Sequence, residues 1–332
     1  MNVQSVLILH SYPPTPCLYG FEKGMRELGF DVTVAANICD YGDREQFKEL
    51  EPNYELLEIT TDRPLLLDLF NQMRKMPDCV MYLHPNNFYL PSDLGRCPVP
   101  TIGWLTEEYK CRELYEILFP YFDLAPTSFV TIAAQDADLG YDNRPYFDFR
   151  WLQWLKPNNF PATRSVDVGF VGAIGVSGVT DKRDAELMLL LSHTKIDIRS
   201  NLWLKELLDF YTNCKIVWQH GGQGENNLTY RISEATAAGA AIISKRPENR
   251  DLAGLVENEG ILLYDTHQEF KEKISQVLED ESYRCWLVDN ARLLMVGDNH
   301  FAKQVERFVG MIDALPDNFL ELRKERMNIW RS

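Results

Sequence analysis

The sequence lacks the features that mark membrane-spanning and secreted proteins. No apolar run approaches the roughly 18 residues that a helix needs to cross a bilayer. The first segment, MNVQSVLILHSY, has no basic region, and its apolar run is short, so we do not expect a secretion signal there. These absences predict a cytoplasmic protein that does not span a membrane.

The seven cysteines also lack the spacing of a metal site or a disulfide framework. No pair forms a C-x-x-C motif, and none stands at ligand spacing from a histidine. We therefore predict no metal site. We interpret most of the cysteines as small core residues or inert surface thiols in a reducing compartment.

Basic residues are in deficit, with 34 Lys and Arg against 49 Asp and Glu and a formal net charge of −15. Binding to a nucleic acid requires an excess of positive charge over one face, so this balance argues against a nucleic-acid partner. A small anionic ligand needs only a few local cations and stays possible. The hydrophobic fraction of 45% is that of an ordinary globular protein.

The first half of the 332-residue chain alternates short apolar runs with amphipathic stretches. Strands are predicted at 3–9, 31–36, 79–83, 101–105 and 122–125, and helices at 18–28, 64–75 and 108–119. Such alternation indicates a parallel sheet covered by helices on both faces. A stretch at about 155–164, rich in Pro and Asn and without periodicity, then predicts a domain boundary.

A second alternating series follows that break. Strands are predicted at 166–171, 214–218, 240–244 and 261–264, and helices at 182–192, 201–210, 230–238 and in several segments after 268. The predicted fold is α/β, with a Rossmann-like domain over 1–157 and another over 158–312. Because ligands of open α/β sheets bind at the carboxyl ends of the strands, we expect the binding cleft between the two domains.

A glycine-containing loop and a basic pair follow the first strand of the second domain. Gly172 follows the strand predicted at 166–171, and the helix after the loop begins with Lys182 and Arg183. Glycines allow backbone N–H groups to approach an anion closely, and a helix N-terminus favours negative charge. The segment is therefore a candidate phosphate site, although a flexible turn before a solvated helix would have the same composition.

Glycines also follow the next long strand of this domain. His220, Gly221 and Gly222 come directly after it, in a segment where the backbone could lie against a ligand. A plain tight turn is the alternative interpretation.

The helix predicted at 230–238 is made of small residues and opens with a charged pair. Arg231 and Glu234 stand three positions apart, which places them on one face of its first turn. A carboxylate there can accept two hydrogen bonds from the vicinal hydroxyls of a ribose. The alternative is a surface ion pair that contributes less than about 1 kcal/mol.

Taken together, these segments resemble part of a glycosyltransferase. The sequence RISEATAAGAAIIS is similar to the donor-site helix and strand of retaining-type GT-B glycosyltransferases. More narrowly, the chain resembles the spore-maturation-protein (CgeB-type), family 4-like group, because DVGFVG, the Lys-Arg pair, NCKIVW and GILLYD occur in that group's order. The similarity covers residues 166–311 well and the first half of the chain loosely.

The resemblance implies a GT-B fold in which a C-terminal helix, 313–332, crosses back to the first domain, where Trp330 could anchor it. It implies transfer of a sugar from a nucleotide-diphosphate sugar to an acceptor that could be a glycan, a protein or a small molecule. The donor is a substrate, so no cofactor is expected. No divalent metal ion is expected either, because no Asp-x-Asp motif stands at a strand end near the donor-site segments. Retention of the anomeric configuration is implied by the resemblance alone.

The resemblance also assigns roles to individual residues. Glu234 would hold the ribose, while Arg183, with Lys182 second, would contact the diphosphate. Tyr230 and Arg231 would line the same pocket.

One position departs from the pattern of the broader fold. Many relatives have a second Glu seven residues before the ribose-binding one, near the donor sugar, and Asn227 stands there in this chain. Its amide can hydrogen-bond a sugar hydroxyl, but the expected carboxylate is missing. Two alternatives therefore stay open: a catalytically silent nucleotide-sugar-binding protein, and a GT-B-fold nucleotide-sugar epimerase.

Polar residues after three strands of the first domain are candidates for the acceptor side. His10, His84 and Glu107 each follow an apolar run, and parallel strands bring such ends to one edge of the sheet. A histidine or glutamate there could serve as general base toward an acceptor hydroxyl. Each could equally cap a turn, lie in a loop or begin a helix.

Overall fold

The structure, a computed structural model, consists of two compact units. One unit combines Met1–Asp148 with Phe301–Ser332, and the other is Phe149–His300. The structure describes residues 3–12, 14, 16–38, 44–61, 64–83, 90–104, 117–125, 163–175, 181–192, 194–202, 204–220, 231–247, 255–296 and 301–329.

Within the described residues, the first unit contains a five-stranded parallel sheet in the order β3-β2-β1-β4-β5. Its strands are β1 (Ser5–Tyr12), β2 (Asp31–Ile38), β3 (Leu57–Glu58), β4 (Cys79–Leu83) and β5 (Thr101–Trp104). The helices between them are α1 (Pro16–Glu27), α2 (Arg44–Leu50) and α3 (Leu66–Gln72).

The connection from α1 to β2 illustrates how the local sequence sets these boundaries. Gly29 has a φ of +85°, and the N–H of Phe30 donates to the carbonyl of Met25 at 3.0 Å. A left-handed residue after the last turn, with this backbone bond, is a common way to end a helix. The prediction that Gly29 terminates the helix is confirmed, and Asp31 begins β2 two residues later.

A buried polar cluster lies beneath the carboxyl half of β1. The hydroxyl of Tyr54 donates to Glu22 at 2.5 Å and lies 3.3 Å from Nε2 of His10. Arg26 donates to the other oxygen of Glu22 at 2.9 Å. Burial opposes ionisation of Glu22, but the polar groups of His10, Tyr54 and Arg26 outweigh it and hold the pKa of this carboxyl below its usual value.

The described part of the second unit contains another five-stranded parallel sheet, in the order β10-β9-β8-β6-β7. Its strands are β6 (Val166–Val171), β7 (Asp197–Arg199), β8 (Cys214–Gln219), β9 (Ala241–Lys245) and β10 (Leu262–Tyr264). Its helices are α4 (Asp181–Leu191), α5 (Leu204–Asn213), α6 (Arg231–Ala237), α7 (His267–Glu279) and α8 (Glu281–Val296).

Aromatic side chains fill the core on one face of this sheet. Phe170 packs against Trp218 with ring centroids 5.1 Å apart, and the indole N–H of Trp218 donates to the Tyr264 hydroxyl at 2.8 Å. Leu187 of α4 and Phe270 of α7 belong to the same buried cluster. The buried inner strands β6 and β8 thus lead into the segments that the sequence indicates as a candidate site.

The chain then returns to the first unit with α9 (Phe301–Asp313) and α10 (Phe319–Ile329). Phe308 of α9 meets Phe21 of α1 edge to face, with ring centroids 5.2 Å apart. The sequence predicts residues 301–312 in the second domain and a returning helix from residue 313. The structure begins that return at Phe301, because α9 has its apolar partner in α1.

An ion pair buried in the first unit fixes α10. Arg323 is fully buried and donates to both oxygens of Asp123, to the carbonyl of Cys97 at 2.7 Å and to that of Val99 at 3.0 Å. The backbone N–H of Thr101 donates to the same carboxylate at 2.9 Å. One guanidinium therefore satisfies acceptors on several segments at once.

Most predicted elements agree with the structure to within a few residues, with clear exceptions. The predicted strand at 122–125 is a single bridge between Leu124 and Ile102. The structure adds α2, β3 and β7, which the pattern did not predict. The proposed boundary near 157, most of the helix predicted at 108–119, and Trp330 lie outside the described residues.

Replacing the buried guanidinium should strongly destabilise the first unit. We expect Arg323→Met to lower the free energy of unfolding by about 3–5 kcal/mol, because the buried Asp123 carboxylate would lose its buried partner and keep only the half-buried Arg326, 3.2 Å from its Oδ1. Denaturant unfolding followed by circular dichroism measures the effect. Lys324→Met, on the exposed side of the same helix, is the matched control. A loss below about 1 kcal/mol in Arg323→Met would contradict the assigned role.

The Glu22 cluster should make stability depend on pH. Since the pKa of Glu22 is lowered on folding, its ionised form stabilises the protein. That contribution is complete above the unfolded carboxyl pKa of roughly 4.3 and disappears as the pH falls through the lower folded value.

Glu22→Gln should therefore cost about 1–3 kcal/mol at pH 7, and the difference from the wild type should shrink in acid. Urea unfolding at several pH values between 7 and 3 tests this. The exposed Glu27→Gln serves as control on the same helix. A difference that is independent of pH would contradict the assignment.

Candidate functional site

The order of strands in the second unit creates a crevice at one edge of its sheet. The chain passes from β6 to β7 on one side and then, through α5, to β8 on the other side of β6. In open α/β sheets, ligands bind at the carboxyl ends of the strands where this reversal occurs. Gly169 pairs with Val217, so Val171 and Gln219, which follow them, end the two strands at the same level.

Arg231, the first residue of α6, reaches into this crevice. Its Nε and one Nη donate to the carbonyl of Val171 at 3.0 and 2.8 Å, and the other Nη donates to Oε1 of Gln219 at 2.8 Å. The carbonyl of His220 lies 3.5 Å from that second Nη. The residue is 9% exposed. Arg231 thus connects the ends of β6 and β8 to the start of α6.

Two guanidinium groups lie over the ring of Phe170. The guanidinium of Arg231 lies 4.6 Å from the ring centroid, and that of Arg183 lies 5.4 Å from it. A side chain at Gly172 would occupy this space, since a Cβ there would stand 2.8 Å from Phe170 and 3.1 Å from Arg231. The glycine after β6 is therefore needed for the packing of protein groups.

The loop after β6 is held by α4. The N–H of Gly172 donates to the carbonyl of Arg199 at 3.0 Å, and the N–H of Gly175 donates to the carboxylate of Asp184 at 2.7 Å. Arg183 is buried and donates to the carbonyl of Ala173. Lys182, by contrast, is exposed. Of the predicted basic pair, Lys182 is the member whose charge faces solvent.

Glu234 lies in the first turn of α6 and is partly exposed. The small residues around it serve close packing, as predicted: Ala235 and Ala238 are fully buried. Gly239, with a φ of +71°, ends the segment before β9. Glu234 therefore sits on a short helix held closely against the sheet, with Arg231 one turn before it.

His220 follows β8 directly and is 6% exposed. Its ring packs on Trp218 with centroids 5.7 Å apart. The other residues predicted for this side of the pocket, which are Gly221, Gly222, Asn227 and Tyr230, lie outside the described residues.

On the predicted acceptor side, the structure corrects the position of His10. The strand β1 continues to Tyr12, so His10 lies within it and is fully buried against Tyr54 and Glu22. These buried polar partners allow the strand to extend past a residue at which the apolar run stops. His84 and Glu107 lie outside the described residues, and their roles stay predictions.

A second charged group at the carboxyl edge was not predicted. Oε1 of Glu186 in α4 lies 3.7 Å from Nζ of Lys245, at the end of β9, and 3.5 Å from Nε2 of His267, which begins α7. Gln219 was also missed, although a polar residue that ends the apolar strand CKIVWQ could have indicated it. The partners of Glu186 are far apart in sequence, and no local pattern connects them.

Among the described residues, no set of three or more His, Cys, Asp or Glu side chains is arranged to hold a metal ion. The helices of those ranges include none long and apolar enough to span a membrane.

Comparison with known proteins gives one family match. Residues 161–310 match the family model described as glycosyl transferase-like. These residues include β6, β8, Arg231 and Glu234, which form the candidate site. A search of curated protein sequences gave no significant match.

Solved structures extend the similarity to the whole chain. A glycosyltransferase from Rickettsia africae has a TM-score of 0.64 at 10% identity, covering 96% of this chain and 100% of that one. Anabaena HepE, solved with UDP and glucose, has a TM-score of 0.60 at 12% identity, covering 94% and 100%. The UDP-GlcNAc 2-epimerase of Methanocaldococcus jannaschii has a TM-score of 0.52 at 12% identity, covering 92% and 99%.

At these identities the similarity establishes the fold. The predicted α/β GT-B fold is confirmed, and so is the resemblance of the second unit to glycosyltransferases. The narrower assignment to the CgeB-type, family 4-like group stays a prediction. The chain therefore has a GT-B fold, and its residues 161–310 are similar to the glycosyl transferase-like family.

Proposed function

We propose that this protein is a glycosyltransferase that takes its sugar from a nucleotide-diphosphate sugar. The observation that carries the proposal is the position of Glu234, on a helix that Arg231 connects to the ends of β6 and β8. That crevice is where α/β sheets bind their ligands. The glycosyl transferase-like match covers the same residues.

Glu234 is proposed to bind the ribose of the donor. A carboxylate accepts hydrogen bonds from two vicinal hydroxyls, and its partial exposure leaves it accessible to a ligand. The short helix that carries it is packed through Ala235 and Ala238, so the carboxylate is held in place before a ligand arrives. Such preorganisation reduces the entropy cost of binding.

Lys182 is proposed to face the diphosphate. The resemblance favours Arg183 for this role, but the Arg183 guanidinium is buried over Phe170 and donates to Ala173. Lys182 is exposed at the start of α4, where the helix dipole also favours an anion. A cation near the departing diphosphate stabilises the negative charge that develops as the sugar leaves.

Metal independence, a cytoplasmic location and an acceptor on the side of the first unit belong to the same proposal. Turnover that persists after exhaustive EDTA treatment, in buffers without divalent cations, would support the first of these. Loss of turnover with EDTA and recovery with Mg²⁺ or Mn²⁺ would contradict it.

An epimerase is the second candidate, because an enzyme that epimerises UDP-GlcNAc shares the fold and Asn227 replaces the expected carboxylate. Incubation of the protein with UDP-sugars in the absence of an acceptor separates the possibilities. Formation of an epimer supports the epimerase, and release of free nucleotide supports a transferase that hydrolyses its donor slowly. Binding without either product supports a silent binding protein.

The role of Glu234 predicts a dependence on the ribose hydroxyls. We expect the wild type to bind UDP about tenfold or more tightly than 2′-deoxy-UDP, because the Glu234 carboxylate would lose a charge-assisted hydrogen bond to the ribose. Glu234→Ala should weaken UDP binding and reduce this preference to about one. Isothermal titration calorimetry measures both affinities. The proposal does not specify the nucleotide base of the donor, so GDP, ADP, CDP and their deoxy forms are included.

The matched control is Glu206→Ala, which removes a carboxylate from the first turn of α5. It should leave both affinities unchanged. If Glu234→Ala retains the full preference for ribose, the assignment of Glu234 is wrong. If no nucleotide binds to the wild type, the proposed function itself fails.

Lys182 should instead affect ligands that carry phosphates. Lys182→Ala is expected to weaken UDP binding roughly tenfold while leaving uridine unaffected, because the lost contact is to the diphosphate. The effect should decline as salt screens the charge. Lys195→Ala, which removes another exposed cation from the same unit, is the control. An equal loss for UDP and uridine would contradict this role.

A further inference from the structure

We infer that Arg231 is a positioning residue of the donor site, which sets the place of Glu234 and does not itself bind the diphosphate. This inference rests on the proposed function and concerns the same crevice. It differs from the role that the sequence suggests, in which Arg231 lines the pocket as a ligand contact.

The hydrogen bonds of Arg231 point toward the protein. All three guanidinium nitrogens donate to acceptors at the ends of β6 and β8: the carbonyl of Val171 twice and the side chain of Gln219. Guanidinium groups are well suited to such sites, since their planar set of donors reaches several acceptors in fixed directions.

The face of the guanidinium is also occupied. It lies 4.6 Å from the centre of the Phe170 ring, a distance at which a cation and an aromatic ring attract each other. Gly172 makes this approach possible, because a Cβ at that position would stand 3.1 Å from Nη2 of Arg231. The group is thus held by edge contacts and by a face contact.

These contacts determine where Glu234 lies. Arg231 and Glu234 are separated by one turn of α6, so a shift at Arg231 moves the carboxylate with it. The hydrogen-bond acceptors of Arg231 are Val171, which leads into the loop before α4, and Gln219, which leads into the segment after β8. Arg231 therefore fixes Glu234 relative to the two chain segments that flank the crevice.

A positioning role and a phosphate contact predict different ligand dependence. If Arg231 acts through Glu234, its loss should weaken every ligand that contains the ribose, whether or not phosphates are present. If it contacts the diphosphate, uridine binding should be unaffected. Lysine would retain the charge but not the fork of donors, so Arg231→Lys separates the geometric contribution from the electrostatic one.

The experiment measures binding of UDP, 2′-deoxy-UDP and uridine to the wild type, Arg231→Lys, Glu234→Ala and the double variant. Calorimetry serves the tighter ligands and ligand-observed NMR the weaker ones. If another nucleoside diphosphate binds best, its own deoxy and nucleoside forms replace these probes. We expect Arg231→Lys to weaken UDP and uridine by a similar factor, about tenfold, and to reduce the preference for ribose.

Coupling to Glu234 is the readout that a general structural role would not change. In the Glu234→Ala background, Arg231→Lys should add little further loss, because residues that act as a unit have non-additive effects. Additive losses would contradict the inference. So would an Arg231→Lys effect confined to UDP, or no effect on any of the three ligands.

A second variant protects the test against misfolding. Gln219→Met removes one acceptor of Arg231 and leaves the guanidinium in place. It should reproduce the Arg231→Lys pattern in weaker form, whereas a direct phosphate contact by Arg231 would be insensitive to it. Melting temperatures identify any variant that fails to fold. If Arg231→Lys fails to fold, the result for Gln219→Met decides the outcome.

The results distinguish the two proposals. If the wild type binds no nucleotide, the proposed function is wrong, and so is this inference, which rests on it. A wild type that binds UDP through Glu234, together with an Arg231→Lys loss restricted to UDP, overturns this inference alone.

Discussion

Both sheets share one constraint on their strand order. The strand that comes first in sequence lies inside the sheet, and the strands that follow are added first on one side of it and then on the other. With right-handed crossovers, the helices that follow must cover opposite faces. The carboxyl edge between the diverging connections then stays uncovered by helices. In the second unit this edge lies between β6 and β8, and each feature of the candidate site depends on it. The helix α6 brings Glu234 there only because β8 runs beside β6.

The open edge of the sheet leaves backbone groups that need hydrogen-bond partners. Where parallel strands end, backbone carbonyls such as that of Val171 lose their neighbours in the ladder and require other donors. Arg231 supplies them, and Phe170 shields the face of the same guanidinium. Gly172 therefore has a role other than the one usually inferred for a glycine after a strand, which is to let a ligand approach the backbone. The missing side chain admits an arginine from the protein, where the sequence pattern alone suggested close approach of a ligand.

The sequence was informative where the signal is local. The strand β6 was predicted to the residue because VDVGFV is largely apolar and buried in the middle of the sheet. The edge strand β7 has three half-exposed or exposed residues and was missed. Glu234 was found because its helix is recognisable by composition, whereas the contact of Arg231 with Val171 spans 60 positions. His10 was placed beyond its strand for the same reason, since the partner that allows its burial, Tyr54, comes 44 residues later.

The pairing of Arg323 with Asp123 has a consequence for how the chain folds during its synthesis. The two residues are 200 positions apart, and ribosomes add about 5–20 residues per second, so Asp123 precedes its partner by roughly 10–40 seconds. During that interval the second unit, which folds from the intervening chain, can form completely. The first unit cannot close over an unpaired carboxylate without a cost of several kcal/mol. Although its sheet is made first, the first unit is expected to finish folding after the second.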